Sequence, residues 1–268
     1  MSFVLFLFLA HLGIGISGSL LLVSQQAGVK FFRFNAGLAA ILLLLALAVR
    51  PGPLVSTVDQ RIALLSLIVS TGLMIVYWLS AGRVFGSRFR TALLSAAFIA
   101  GMTTLVAQAL GWSTLQTGPS AALITMASFV SSAALLGGSC TAMILGHWYL
   151  VLPSMDVSLL QRVVRFQIGS TLIRLIVVGV VVALAFDNWQ SPRGAGFDRY
   201  ILSVESVFFW QRALFGLVGP LGLSYLIWET ARIRATQSAT GILYVDFFTV
   251  IVGEVLAKYL LISQRVPL

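Results

Sequence analysis

Seven residues that could carry proton or ligand chemistry lie inside apolar sequence: His11, His147, Arg174, Arg212, Asp246, Glu254 and Lys258. A charge at membrane depth costs about 2.5–3.5 kcal/mol on insertion scales, so each needs a partner or a task. Glu254 and Lys258 are four apart, which puts them on one helix face and lets them pair. Counted at a rise of about 1.5 Å per residue, Arg212 and His11 reach a similar depth. His11, Arg212, Glu254 and Lys258 are therefore expected to form one polar cluster toward the outer leaflet. Either Arg212 and Glu254 neutralise each other and tie two helices together, or the cluster handles protons and contacts a quinone. Arg174 and Asp246 differ in depth by roughly one turn, and a buried Arg174–Asp246 pair is expected. Losing either partner would strand the other charge.

His147 sits in "ILGHWYLVLP" (144–153), with Trp148 and Tyr149 directly after it and Pro153 beyond. Aromatic residues gather at membrane interfaces. His147 is accordingly expected to be an interfacial hydrogen-bonder at the inner end of its helix; contact with Asp246 would make it a proton entry point. The two histidines fall in opposite leaflets, so no paired-histidine haem is expected between them. A lone histidine could ligate a pigment macrocycle, but one held only by a hydrogen bond is the commoner case. Nothing matches the ligand patterns of zinc or copper sites, so no metal is expected. Cys140 is the only cysteine and can form neither an internal disulfide nor a multi-cysteine site.

These groups must be positioned by membrane helices. The 268 residues are 59% hydrophobic and only 9% charged, far below the roughly 25% charged of soluble domains. Runs of about 20 apolar residues recur throughout, and they do not alternate as barrel strands would. The reading is an all-α integral membrane protein forming one domain over 1–268. Eight spans are expected, near 3–24, 32–49, 62–82, 91–111, 120–147, 165–186, 206–228 and 239–261. Turn signals separate them at "RPGP" (50–53), "FGSR" (85–88), "QTGP" (116–119) and around Pro192, Gly194 and Gly196. The net charge of +9 is spread between spans rather than clustered on a face, so no nucleic acid is expected. Lys30, Arg33, Arg83, Arg88, Arg90, Arg162, Arg165, Arg232 and Arg234 fall on one side, which the positive-inside rule makes cytoplasmic. Both termini then lie outside, which means the periplasm for a multi-pass protein of a bacterial inner membrane.

The fifth span is rich in Ala, Ser, Gly and Thr, which allows close backbone approach between helices; a groove for a quinone ring or lipid tail is the alternative. Pro220, within "FGLVGPLGLS", should kink the seventh span. The loop near 187–205 mixes Trp189, Phe197 and Tyr200 with charges. It reads as an interfacial loop with aromatic anchors, or as a docking surface for an extrinsic subunit.

The last span, "ATGILYVDFFTVIVGEVLAKYLL" (239–261), resembles the end of membrane-anchor subunits of dimethyl sulfoxide reductase-type enzymes, and more loosely the polysulfide and nitrite reductase anchors. Gly253, Glu254, Val255, Leu256, Ala257 and Lys258 carry the likeness, with Lys258 where that family tends to have arginine. Eight helices with both termini outside is also similar. The resemblance implies a subunit that binds quinol, anchors an iron–sulfur partner and holds no redox cofactor of its own. The leading expectation is thus an integral subunit of an electron-transfer complex, at most the quinol-contacting part of an oxidoreductase, embedded among lipids. A structural accessory subunit of a respiratory or photosynthetic complex and a small-solute transporter are the rivals. On the leading reading, a Glu254→Gln chain should assemble but turn quinol over slowly.

Overall fold

The computed structural model describes residues 2–52, 57–82, 87–112, 119–152, 155–188 and 196–268. The chain is all-helical there. The helices are α1 (Ser2–Leu20), α2 (Gly28–Ala48), α3 (Val58–Ser80), α4 (Ser87–Leu110), α5 (Pro119–Val151), α6 (Ser158–Asn188), the short α7 (Phe197–Ile201), α8 (Val207–Ala213), α9 (Gly219–Arg232) and α10 (Thr236–Gln264). The turn residues at 53, 85–86 and 116–118, and Pro153, Arg83, Trp189, Pro192, Arg193 and Gly194, lie outside the described residues.

Seven helical stretches among these residues are long and apolar enough to cross a membrane. They correspond to the first seven expected spans, the seventh being the continuous stretch Val207–Arg232. The eighth expected span, α10, is long at 29 residues but falls outside that set. Its difference is visible in the sequence: Asp246, Glu254 and Lys258 interrupt it, and all three are buried within the protein. The charges that lower its hydropathy therefore face other helices and not lipid.

Two helices form the centre. The spans of α1 and α5 are 72% and 61% buried, against 28–39% for the others that meet the length and apolarity test. α1 packs on α2, α4, α5 and α10, and α5 packs on α1, α4, α6 and α10. A Cβ on Gly137 would lie 1.9 Å from the backbone carbon of Gly15, and one on Gly15 would lie 1.9 Å from the Ala133 carbonyl oxygen. Only glycine permits that approach. Ser19 secures the crossing, with its hydroxyl 2.5 Å from Thr141 Oγ1 and 3.2 Å from the Gly137 carbonyl oxygen. Close packing, the first reading of the small-residue run, is what this part of α5 does.

The seventh span carries the expected disturbance in a particular form. Between α8 and α9 the backbone widens to a π-helical turn, Leu214–Val218. Pro220 has no N–H to return to the carbonyl of Gly216 four residues earlier, and a wider turn just before a proline is one way a helix absorbs that loss. Gly216 within it meets Gly253 of α10, where a Cβ would come 2.6 Å from the Gly253 Cα. Phe197 and Tyr200 of α7 are buried beside Phe209 of α8 and Val181 of α6 in a small second core. The described aromatics of the long loop thus anchor inward, whereas Leu202 and Val204 are exposed.

The α5–α6 turn is pinned by Tyr149. Its hydroxyl donates to the Asp156 carbonyl and accepts from the Leu160 N–H at 3.3 Å. The Asp156 carboxylate accepts from the Ser158 N–H at 3.0 Å, as a helix N-cap does. That bond, with the Ser158 side chain, holds the carboxyl below the ordinary carboxylate value. The contribution of the ion is complete above the ordinary value and is lost as pH falls through the lowered folded value. Asp156→Asn is expected to flatten the acid limb of thermal stability below about pH 4, with little change at neutral pH. An unchanged acid limb in melting curves of the variant would remove Asp156 from that role.

Candidate functional site: a buried ion cluster beside an apolar cavity

Glu254 is the hub of the interior. Its carboxylate accepts from Arg174 Nε at 3.0 Å and Arg212 Nη2 at 2.8 Å on Oε1. On Oε2 it accepts from Arg174 Nη2 at 3.2 Å and Ser132 Oγ at 2.5 Å. Lys258 Nζ stands 3.8 Å from Oε2 and donates to Ser132 Oγ at 2.7 Å, with its ammonium 5.3 Å from the centre of the Phe129 ring. An ionised carboxylate has about four acceptor positions, and here four donors occupy them. Three cations face this one carboxylate, and every charged member is buried.

Arg174 is the most heavily bonded member. Besides its two bonds to Glu254, it donates through Nη1 to the Ser128 carbonyl oxygen and hydroxyl at 2.9 Å each, and to Ser131 Oγ at 3.3 Å. Its Nη2 also donates to the Leu268 carbonyl oxygen at 2.7 Å. Ser128, Ser131 and Ser132 are spaced i, i+3, i+4, so α5 presents them on one face toward α6 and α10. By type alone these serines read as small packing residues. Their spacing was the available signal that they form a polar stripe.

His11 closes the cluster on the α1 side. Its Nδ1 lies 3.3 Å from Ser132 Oγ. The Ser132 proton is directed at Glu254, so the serine oxygen is an acceptor here and Nδ1 carries the hydrogen. That tautomer leaves Nε2 as a bare lone pair, and Nε2 is buried without a hydrogen-bond partner among the described residues. The ring packs on Phe129 at 4.8 Å between centroids, and the Gln108 side chain lies beside it.

The expected grouping of His11, Arg212, Glu254 and Lys258 is present in the structure. The expected Arg174–Asp246 pair is not. Arg174 does not pair with Asp246; it reaches Glu254 and joins the cluster. Its long side chain can climb about a turn in either direction along α10, and Glu254 offers a carboxylate already shared with other donors. Asp246 instead accepts from Gln167 Nε2 at 2.7 Å, while its Oδ1 has no partner. His147, for which contact with Asp246 is the alternative reading, does not touch it. It is exposed, and its Nδ1 is 3.0 Å from the Tyr244 hydroxyl. Asp246 and Tyr244 are two residues apart on α10 and so point to different sides of the helix. Trp148 turns inward, its ring edge-on to Phe31 at 5.9 Å.

Near the cluster, at the end of the bundle that holds Phe3, is an apolar cavity of about 230 Å3. Phe3, Phe6 and Phe129 form walls, and Arg50, Gln60, Gln108 and Trp112 supply polar atoms. Both amide atoms of Gln108 and the indole N–H of Trp112 are buried without partners among the described residues. Buried orphan polar groups are costly and mark places where a further partner belongs. Gln108, His11 and Ser132 thus run in sequence from the cavity wall to the ion cluster.

The fold and this interior define a polytopic helical membrane protein with a buried ion network next to an apolar cavity. No family model matches the chain, and no match is found among curated proteins.

Proposed function

We propose that the protein is an integral subunit of a bacterial membrane electron-transfer complex, that its cavity takes a quinone or quinol ring, and that His11 accepts the proton released there. The observation that carries this reading is His11 Nε2, which has no partner among the described residues and stands between a cavity with orphan polar groups and an ion cluster whose carboxylate is fully occupied. The cavity is smaller than the roughly 300–1,000 Å3 pockets that enclose whole drug-sized ligands, which suits a single ring with its tail in lipid. Gln108, Trp112, Gln60 and Arg50 all line the cavity with groups that can donate to a ring carbonyl. Oxidation of a quinol yields a quinone, two electrons and two protons; an iron–sulfur partner subunit would take the electrons, His11 would take the first proton, and the second would leave to water at the cavity mouth. Glu254 fits the acceptor role less well, because its lone pairs are already occupied. Its role is to hold the arginines, while the nearby cations favour a ring anion during turnover. Asp246, His147 and Arg174 then have no direct part in the chemistry. On this reading α10 is the eighth crossing, and both chain ends lie on the outer side.

The test is purification under mild detergent, followed by extraction of bound quinone and identification of co-purifying subunits. Quinone at near one per chain and an iron–sulfur partner are expected. His11→Gln should assemble normally while quinol oxidation falls by about 10²-fold or more, the lower range for loss of a positioned acid–base group. A quinone-free protein recovered alone, or wild-type turnover in His11→Gln, would overturn the proposal.

A further inference from the structure

The opposite end of the bundle carries a second, smaller pocket that none of the cluster chemistry uses. It has a volume of about 130 Å3 and lies where α1 ends, α2 begins, α3 ends and α4 begins. Leu20, Leu21, Phe32 and Leu94 line it, together with Tyr77 and Arg90. The Nε of Arg90 is buried and has no hydrogen-bond partner among the described residues. A guanidinium is charged at any working pH, and a buried donor of such a group left unpaired is expensive.

No side-chain anion from these helices can satisfy it. The chain has no acidic residue before Asp59 and none between Asp59 and Asp156. Asp59 opens α3 and Tyr77 is 18 residues further on, roughly 27 Å along the helix axis. Every charged side chain that α1, α2 and α4 bring toward this end is basic: Lys30, Arg33, Arg88 and Arg90. Arg33 is already engaged, its guanidinium 5.8 Å from the centre of the Trp78 ring. The corner therefore combines uncompensated positive charge, one orphan guanidinium N–H and an apolar wall.

We infer that this pocket binds a phosphate group, with Arg90 as its charged donor. Guanidinium groups suit phosphate because planar N–H donors match its oxygens. The apolar walls suit the glycerol and upper acyl carbons of a phospholipid, whereas free phosphate would use only the Arg90 end. The site is independent of the cavity that borders Gln108, so neither proposal rests on the other.

The test uses delipidated full-length protein in a neutral detergent, with thermal stability and native mass spectrometry as readouts. One arm adds phosphatidylglycerol, and the other adds inorganic phosphate. Retention of one phospholipid per chain, with a rise in melting temperature, is expected in the first arm. A comparable rise with inorganic phosphate alone would support the phosphate site and identify the free ion as its source. Arg90→Gln should weaken binding about tenfold or more, whereas Arg265→Gln, outside this pocket, should not. Val29 also lines the pocket; Val29→Trp keeps Arg90 but fills the space, and it should abolish binding even if Arg90→Gln folds poorly. Neither ligand binding to the wild type, or binding unchanged in both pocket variants, would overturn the inference.

Discussion

Glu254→Gln is expected to deplete the folded protein and not merely slow a reaction. The carboxylate accepts from Arg174 at both oxygens, from Arg212 at one and from Ser132 at the other. A glutamine amide has one oxygen and one NH2. Whichever way it is turned, the NH2 faces at least one guanidinium donor, and no negative charge remains for three buried cations. Breaking a buried ion pair by removing one partner costs about 3–5 kcal/mol, a large share of a stability of about 5–15 kcal/mol. The measurement is the yield of monodisperse protein in detergent and its melting temperature. The triple variant Arg174→Met, Arg212→Met, Glu254→Met removes most of the network together and should fold better than Glu254→Gln alone, since replacing whole buried ion networks by apolar groups is often neutral. A Glu254→Gln protein as abundant and stable as the wild type would refute the hub role. The sequence alone favoured slow turnover with normal assembly, because it paired Glu254 with one arginine instead of two.

The second large effect is expected at the α1–α5 crossing. In Gly137→Ala, the new methyl group would stand 1.9 Å from the Gly15 carbon and 2.1 Å from its oxygen. Those atoms are backbone and cannot rotate away, so the two central helices must separate. Overpacking costs about 1–3 kcal/mol even where side chains can adjust. Here separation would also stretch the Ser19–Thr141 contact and shift Ser132 relative to His11. Gly179→Ala in α6 is the control: nothing lies within 4 Å of its new methyl group, and an interior helical glycine is about 0.5–1 kcal/mol less favourable than alanine. Gly137→Ala should therefore melt well below the wild type and Gly179→Ala at or above it. Equal melting temperatures for the two variants would show that the crossing has slack.

The helices were largely legible because membrane spans announce themselves by length and apolarity. Their ends were less so: α5 runs to Val151 and α6 begins at Ser158, beyond the expected limits near 147 and 165. Polar aromatic ends such as Trp148–Tyr149 and the amphipathic start of α6, with Arg162 and Arg165, lower hydropathy without breaking the helix. Depth counting brought His11, Arg212, Glu254 and Lys258 together correctly, because depth is one coordinate and straight helices share it. It failed for Arg174 and Asp246, because rotation about the helix axis is a second coordinate that counting does not fix. An arginine side chain spans about a turn, so several carboxylates were in range and the sequence held no basis for choosing. Gln108 and the α5 serines carry no such signal of their partners for a related reason: uncharged polar residues are common in membrane helices, and only their neighbours reveal what each one bonds.

The order in which the ion network is synthesised has a consequence for biogenesis. Arg174 precedes Glu254 by 80 residues and Arg212 precedes it by 42. At roughly 5–20 residues per second, Arg174 waits about 4–16 s for its carboxylate. During that interval two arginines are at or near the membrane interior without their counter-ion, at a cost of about 2.5–3.5 kcal/mol each near a helix centre. The serines of α5 are already available to Arg174, but nothing comparable awaits Arg212. The seventh span is therefore the segment least able to settle in lipid unaided, and the arrival of α10 is the step that commits the bundle. A nascent chain stalled before Glu254 should remain bound to the insertion machinery or be degraded, whereas one stalled after Lys258 should be released into the bilayer.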